Sequence, residues 1–323
     1  MRRFVKKIIY HFLILLITAL LLDFIISSRL KIHDQFAYGE SYIWNEIYQG
    51  KVNRDILIYG SSRAWVHFDP KIIQDSLRMS TYNLGIDGHN FWLQYFRHKA
   101  LIKNNVKPKV IILSVGIFTL NRRSDLYNMN QFLPYIYYED VYHYTSVYKG
   151  FTIFDYILPL YRYIGKRDVL RQAFYYNKGR QSKQENYRID GFRGMNREWN
   201  HDLENAKQKL ASFTLNMHEP SIKLMELFFE ECNDLGIEVV MVYSPEYIEG
   251  QYFVENRSEI METFSNLSET YNFHFLDYSN DEISKDKILF YNSMHLNAIG
   301  AERFTTKFVS DLKQNKILTF KGQ

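Results

Sequence analysis

Three nearly unbroken apolar runs constrain this chain most: "DILIYG" ending at Gly60, "PKVIILSVG" ending at Gly116, and "IEVVMVYSP" running up to Pro245. A strand with one wet face alternates apolar and polar side chains. A strand apolar at almost every position is covered on both faces, as in a parallel sheet flanked by helices. The intervening segments supply the helices. "FDPKIIQDSL" carries Pro70 near its first turn, and "NFWLQYFRHKALIKN" repeats apolar residues every three or four positions. "PSIKLMELFFEECNDLG" does the same and stops at Gly236, the residue type that caps helix C-termini. "STYNLGI" and "FHFLDYS" read as further strands, "NRSEIMETFSNLSETYN" and "NAIGAERFTTKFVSDLKQN" as further helices. The order βαβαβ, a long interruption, then αβαβα predicts an α/β fold, a three-layer α/β/α sandwich around a parallel sheet.

The interruption spans about residues 121–213 and includes "FLPYIYYEDVYHY" and "FTIFDYILPLYRYIG". It is too long for an ordinary crossover and reads as a mostly helical, aromatic-rich insertion covering one end of the sheet. Within it Tyr135, Tyr137 and Tyr138 could stack on sugar rings in a groove, or form the packing surface of the insertion. The polar "NREWNHDLENAKQK" reads as a solvated helix face. A net charge of +4 is weak for 323 residues, and part of it lies in Arg2, Arg3, Lys6 and Lys7, so no nucleic acid partner is expected. The single Cys232 excludes an intramolecular disulfide framework and a Cys-based zinc site; its place in an apolar helix pattern makes it core. No His-Glu-x-x-His or Asp-rich loop is present, and "NLGIDG" lacks the spacing of a dinucleotide turn, so neither metal nor cofactor is expected.

The N-terminus carries a separate message. "MRRFVKK" is basic, and Ile8 to Ser27 is apolar apart from His11, Thr18, Asp23 and Ser27. About 20 helical residues cross a bilayer core, longer than the apolar core of a cleavable signal, and no clear small-residue cleavage site follows. Positive charge ahead of the run keeps the N-terminus inside. The expectation is a cytoplasmic tail and signal anchor over 1–28, a stalk over 29–54 that leads into the helix "SYIWNEIYQGK", and a main domain over 55–323. The chain would then be a single-pass protein of the inner (cytoplasmic) membrane with its main domain extracytoplasmic; a buried N-terminal helix is the alternative.

Ligands of parallel α/β sheets sit outside the carboxyl ends of the strands. Four stretches are predicted to meet there: Gly60-Ser61-Ser62-Arg63, the run Asn83 to Asn90, the residues after "VIILSV", and "FYNSMHLNAIGAERF". A serine at a strand-to-helix turn can expose its Oγ near backbone N–H donors, which suits acyl transfer, but it needs a base. His295 enters the same layer at the mouth of the last helix. Arg63 could hold an anionic or polar substrate group, or pair with a carboxylate. Asp87 and His89 flank Gly88 and would line the rim. Asn297 reads as a tie between its loop and the final helix.

The joint pattern, strand-Gly-x-Ser near the start and His-Leu-Asn-x-x-Gly near the end, resembles the SGNH (GDSL-like) hydrolase superfamily. It is similar above all to the membrane-anchored branch that modifies envelope polymers, such as the teichoic acid D-alanine transfer protein and exopolysaccharide acetyl-transfer proteins. "ILIYGSSRA" resembles the first block, which implies Ser62 as nucleophile, with Ser61 where the hydrolases carry Asp. "YNLGIDGHN" resembles the second, which implies the N–H of Gly88, beside that of Ser62, as oxyanion donor. "FYNSMHLNAIGAERF" resembles the fifth, which implies His295 as base. The resemblance covers roughly Asp55 to Gly116 and Glu219 to Phe308 and implies a flavodoxin-like sheet. Two departures stand out. Asn292 occupies the family's Asp position, where it can orient the imidazole but supplies no charge. The third block places Ile117 or Phe118 near its oxyanion Asn, leaving Asn121 as a weak substitute.

Two functions follow. One is a serine esterase or O-acyltransferase acting on acyl, by resemblance acetyl, esters of a cell-envelope polysaccharide, working beside a multi-spanning membrane acyltransferase. The other is a catalytically degenerate glycan-binding or scaffold protein of an envelope modification complex.

Overall fold

The computed structural model describes residues 1–32, 40–88, 90–174, 188–209 and 212–318. They group into two units, Met1–Gln49 with Arg123–Tyr187, and Gly50–Arg122 with Arg188–Gln323. The predicted insertion is thus divided: Arg123 to Tyr187 groups with the N-terminal helix, and the residues from Arg188 group with the sheet.

The second unit is a three-layer α/β domain. Its strands are β1 (Ile56–Gly60), β2 (Thr81–Asn83), β3 (Val110–Val115), β4 (Glu238–Tyr243) and β5 (His274–Asp277), in the order β2-β1-β3-β4-β5. Every pair is parallel, with Gly60 beside Ser114 and Val115 beside Tyr243 at the carboxyl edge. This is the flavodoxin-like order, in which the winding reverses between β1 and β3 and opens a crevice there. Strand side chains point alternately to the two faces. Ile56, Ile58, Val110, Ile112, Val240 and Val242 join one core with Phe304, Phe308 and Leu312 of the helix Ala298–Gln314. On the other face Tyr59 meets Phe228 at 6.1 Å, within the helix Glu219–Leu235. A short antiparallel pair, β6 (Phe290–Asn292) and β7 (His295–Leu296), follows the main sheet.

Most predicted elements are present with ends a few residues shorter. Among the short helices that were not expected is Ser62–His67, which starts directly after β1. Its six residues are too few for an apolar period to show in the sequence.

The first unit contains the 31-residue helix Arg2–Ile32, long and apolar enough to cross a membrane. The helix Glu40–Tyr48 follows it, then short helices between Met129 and Phe174. Ile26 and Leu30 pack with Leu133, Tyr163, Val169 and Ala173. Tyr135 is buried, stacks on Tyr48 at 4.3 Å and donates its hydroxyl to Asn45, so it packs rather than presenting a sugar platform. Tyr137 and Tyr138 are partly exposed, and Arg162 lies 4.1 Å from the Tyr137 ring centroid.

Candidate active site

The opening glycine of the first block is set by space. Gly60 has φ +143, and a Cβ there would come within 2.6 Å of the Ser114 carbonyl oxygen and 2.9 Å of Ala64 Cβ. Only glycine lets β1 turn this sharply beside β3. The chain then leaves through Ser61 into the helix Ser62–His67, which puts Ser62 at the carboxyl edge of the sheet beside the switch point.

Ser62 Oγ lies 2.8 Å from His295 Nε2, although 233 positions separate the two residues in sequence. His295 Nδ1 lies 3.0 Å from Asn292 Oδ1. That oxygen also accepts the backbone N–H groups of Met294 at 3.0 Å and His295 at 2.9 Å. Two backbone donors fix which end of the Asn292 amide faces the ring, since an amide nitrogen could not accept them. Nδ1 must therefore carry the proton, and the bare Nε2 accepts from the Ser62 hydroxyl. This is the tautomer a general base requires. Tyr291 stacks on the imidazole, with ring centroids 5.4 Å apart and 12° between planes. Burial first, and then the positive Arg63, hold the His295 imidazole down at about 3, so it is neutral throughout the physiological range.

Beneath the pair lies a buried charged cluster. Arg63 is 2% exposed. Its guanidinium donates to Glu246 Oε2 at 3.2 Å and to both oxygens of Ser244, and lies 4.6 Å from the Tyr243 ring centroid. Of the two uses open to Arg63, the structure displays the carboxylate pair. Arg257 also pairs with Glu246, so two guanidinium groups share one carboxylate. His67 accepts the Leu296 N–H at Nε2 over 3.0 Å, which leaves Nδ1 to donate to Ser244 Oγ at 2.8 Å. It thereby ties the helix bearing Ser62 to the strand bearing His295. Burial first, then Arg63 and His295, drive its pKa well below the usual value.

The second block runs alongside. Leu84 N–H donates to the Ile58 carbonyl at 2.7 Å and Ile86 N–H to the Gly60 carbonyl at 2.9 Å, which carries Asp87 and Gly88 toward the serine turn. Gly88 is in the left-handed region at φ +69. Asp87 is half-buried and raises the Tyr291 phenol, after burial and against Arg197 and Arg193. His89 lies outside the described residues. Asn121 directs its side-chain amide at the Asn216 carbonyl over 3.0 Å, and no bond to Ser62 is among those described. Ile117 and Phe118, at the third-block position, line a cavity of about 260 Å³ together with Phe213, Phe253 and His295. Asn297 caps the final helix, accepting the Gly300 N–H at 3.0 Å and donating to the Ile288 carbonyl at 2.6 Å.

Sequence reasoning missed His67, Ser244, Glu246 and a strap over Arg188–Asn200. The strap reaches the second and fifth blocks and the helix that opens at Ser62. Asn83 N–H donates to Asp190, Arg193 N–H to Trp65, Ala298 N–H to Met195, and Asn200 N–H to Tyr291. Arg188 donates to the Gly85 carbonyl at 3.0 Å and lies 4.2 Å from the Trp65 ring centroid. Gly191, at φ +80, sits so close to Asn83 that a Cβ would lie 1.7 Å from its carbonyl oxygen. The glycines of "IDGFRGMNR" were the signal for this close approach.

No family model and no curated protein matches the chain. Among solved structures it is similar to a GDSL-like lipase from Bacteroides thetaiotaomicron, at 8% identity and TM-score 0.39 over 81% of this chain and 88% of that one. An acetyl xylan esterase is similar at 14% identity and TM-score 0.39, covering 81% of this chain and 100% of the other. An acetyl-xylooligosaccharide esterase from Geobacillus is similar at 13% identity and TM-score 0.40, covering 80% and 94%. At these identities and scores none of them bears on the chemistry of this chain, which rests on its own topology and side chains.

Proposed function

We propose that this chain is an SGNH-type serine esterase or O-acyltransferase, anchored by Arg2–Ile32 in the inner membrane with its sheet domain outside, and acting on acyl esters of an envelope polysaccharide. The observation that carries the proposal is the hydrogen bond of 2.8 Å from Ser62 Oγ to a His295 Nε2 left unprotonated by Asn292. In the proposed reaction His295 takes the Ser62 proton as Oγ attacks the acyl carbonyl. The backbone N–H groups of Ser62 and Gly88 receive the oxyanion. The leaving oxygen recovers the proton from His295, and the acyl group remains as an ester on Ser62. A sugar hydroxyl or water then gives its proton to His295 and attacks that ester, and His295 returns the proton to the departing Ser62 Oγ, which restores the serine. Acetyl as the acyl group, and a multi-spanning membrane acyltransferase as donor, follow from the family resemblance.

One observation favours the second reading, a degenerate binding or scaffold module. The imidazole has an amide, not a carboxylate, behind it, and Arg63 opposes its protonation. Fluorophosphonate labelling separates the two. The catalytic reading expects the folded wild-type protein to label and Ser62→Ala not to. A folded wild-type chain that takes no label, in cells where Ser62→Ala leaves polymer acylation unchanged, would overturn it.

A further inference from the structure

We propose that the surface formed by Ile153–Ile164 in the first unit is immersed in the outer leaflet of the membrane, beside the N-terminal helix. This rests on the reading of Arg2–Ile32 as a membrane-spanning anchor. A span of about 20 residues counted from Ile8 ends at Ser27. Asp23 then lies four residues inside that boundary, about 6 Å deep at about 1.5 Å per residue. A carboxylate at that depth needs a partner. Asp23 is 4% exposed; Arg162 pairs with it at 2.6 Å, and the Leu160 N–H donates to it at 2.7 Å. Leu160 and Arg162 therefore sit at the depth of Asp23, and the chain around them must enter the leaflet with them.

That chain suits lipid. Ile153, Phe154, Ile157, Leu158, Tyr161 and Ile164 are all exposed, Ile157 by 58% and Ile164 by 71%. The segment "IFDYILPLYRYI" contains two charged side chains, and both have partners within the protein. Arg162 is held by Asp23 and Ser27, and Asp155 accepts the Thr152 N–H at 2.7 Å and its hydroxyl at 2.8 Å. Just beyond Ile164 come Lys166, Arg167 and Arg171, in position for anionic headgroups. An apolar surface edged by basic residues and continuous with a spanning helix is the pattern of an in-plane membrane element. Its effect would be to fix the orientation of the first unit on the bilayer, which one flexible helix alone would not do.

The test is depth-dependent quenching on the full-length chain in nanodiscs containing phosphatidylglycerol. The only native thiol, Cys232, is buried and its pKa is pushed up by burial and then Glu231, so single introduced cysteines can be labelled with an environment-sensitive fluorophore. Ile157→Cys and Ile164→Cys replace exposed side chains and leave the fold intact. We expect both to lose more than half their emission to lipids spin-labelled near the headgroup. Leu15→Cys reports the anchor, through quenching by labels near the chain end, and Tyr252→Cys in the second unit, 75% exposed, reports water. Aqueous emission at residues 157 and 164, with residue 15 quenched, overturns the immersion and leaves the anchor standing. Shielded but unquenched emission at 157 and 164 also overturns it, because a protein then covers the surface. Failure at residue 15 alone would refute the anchor reading.

Discussion

Asn292→Asp is the substitution that weighs the missing charge directly. Asn292 Oδ1 already accepts from His295 Nδ1 at 3.0 Å and from two backbone N–H groups. A carboxylate oxygen could take over all three bonds without moving the ring. The tautomer is the same before and after, so the change isolates charge. This differs from the Asp-to-Asn change in chymotrypsin-like proteases, where the wrong tautomer accounts for much of a loss of about 10⁴-fold. Two unit charges about 4 Å apart, at an effective dielectric of about 20, attract by about 4 kcal/mol. Desolvation of the new carboxylate reduces this, and shifts from such neighbours are about 1–3 pKa units. At about 1.4 kcal/mol per unit, kcat/KM for an activated ester should rise about 10- to 1000-fold. The acid limb of the pH–rate profile should move up by the same one to three units from about 3. Hydrolysis of p-nitrophenyl acetate and the rate of fluorophosphonate labelling, both followed from pH 3 to 8, are the assays. A displaced acid limb with an unchanged rate would refute the claim that the absent charge limits the chemistry. A limb and rate both unmoved, in a folded variant, would refute the pairing of residue 292 with the base.

Four further outcomes are expected. Burial first holds His98 and His295 down at about 3 and His67 well below its ordinary value. The unfolded chain therefore binds protons that the native one refuses as pH falls below 6.5, and stability should drop by up to about 1.4 kcal/mol per histidine per pH unit. Urea denaturation at pH 7, 6 and 5 checks this, and a flat profile contradicts it. Arg63→Met removes one of the two guanidinium groups on Glu246 and should cost about 1–3 kcal/mol while raising the His295 pKa, read by NMR titration of the ring. His67→Ala should lower kcat with KM little changed, with partial rescue by His67→Gln, because it loosens Leu296 rather than substrate contacts. Gly191→Ala should lower labelling of Ser62 by displacing the strap from Asn83, whereas substitution of the exposed Glu198 should not.

The parallel sheet was legible because burial on both faces writes itself into consecutive residues. "VIILSV" became β3, buried at all six positions, and "VVMVY" became the buried part of β4. Elements that write no such pattern were not legible. The helix Ser62–His67 is shorter than two turns. The strap over Arg188–Asn200 has almost no regular structure and is held by single backbone bonds to distant segments, a kind of order that leaves only glycines in the sequence. The division of the insertion was hidden for a related reason. In the sequence Asp23 is one of four exceptions in an apolar run, and its partners Leu160 and Arg162 lie 137 and 139 positions away.

At the site the same contrast has a chemical form. Ser62, His295 and Asn292 stood in recognisable spacings, and the structure has them within hydrogen-bond distance. The groups beneath them were invisible because each acts through burial. Ser244 looks like an ordinary residue at a strand end, yet its hydroxyl meets both Arg63 and His67. Glu246 is one carboxylate against Arg63 and Arg257, so the cluster carries one uncompensated positive charge under the serine. That charge disfavours an imidazolium and, by the same sign, favours an oxyanion at Ser62. A site so biased gives up basicity at His295 and gains at the position where negative charge develops. Arg63→Met should therefore move the two in opposite directions, raising the imidazole pKa while slowing labelling of Ser62. A rise in both would mean that the guanidinium serves only to hold Glu246.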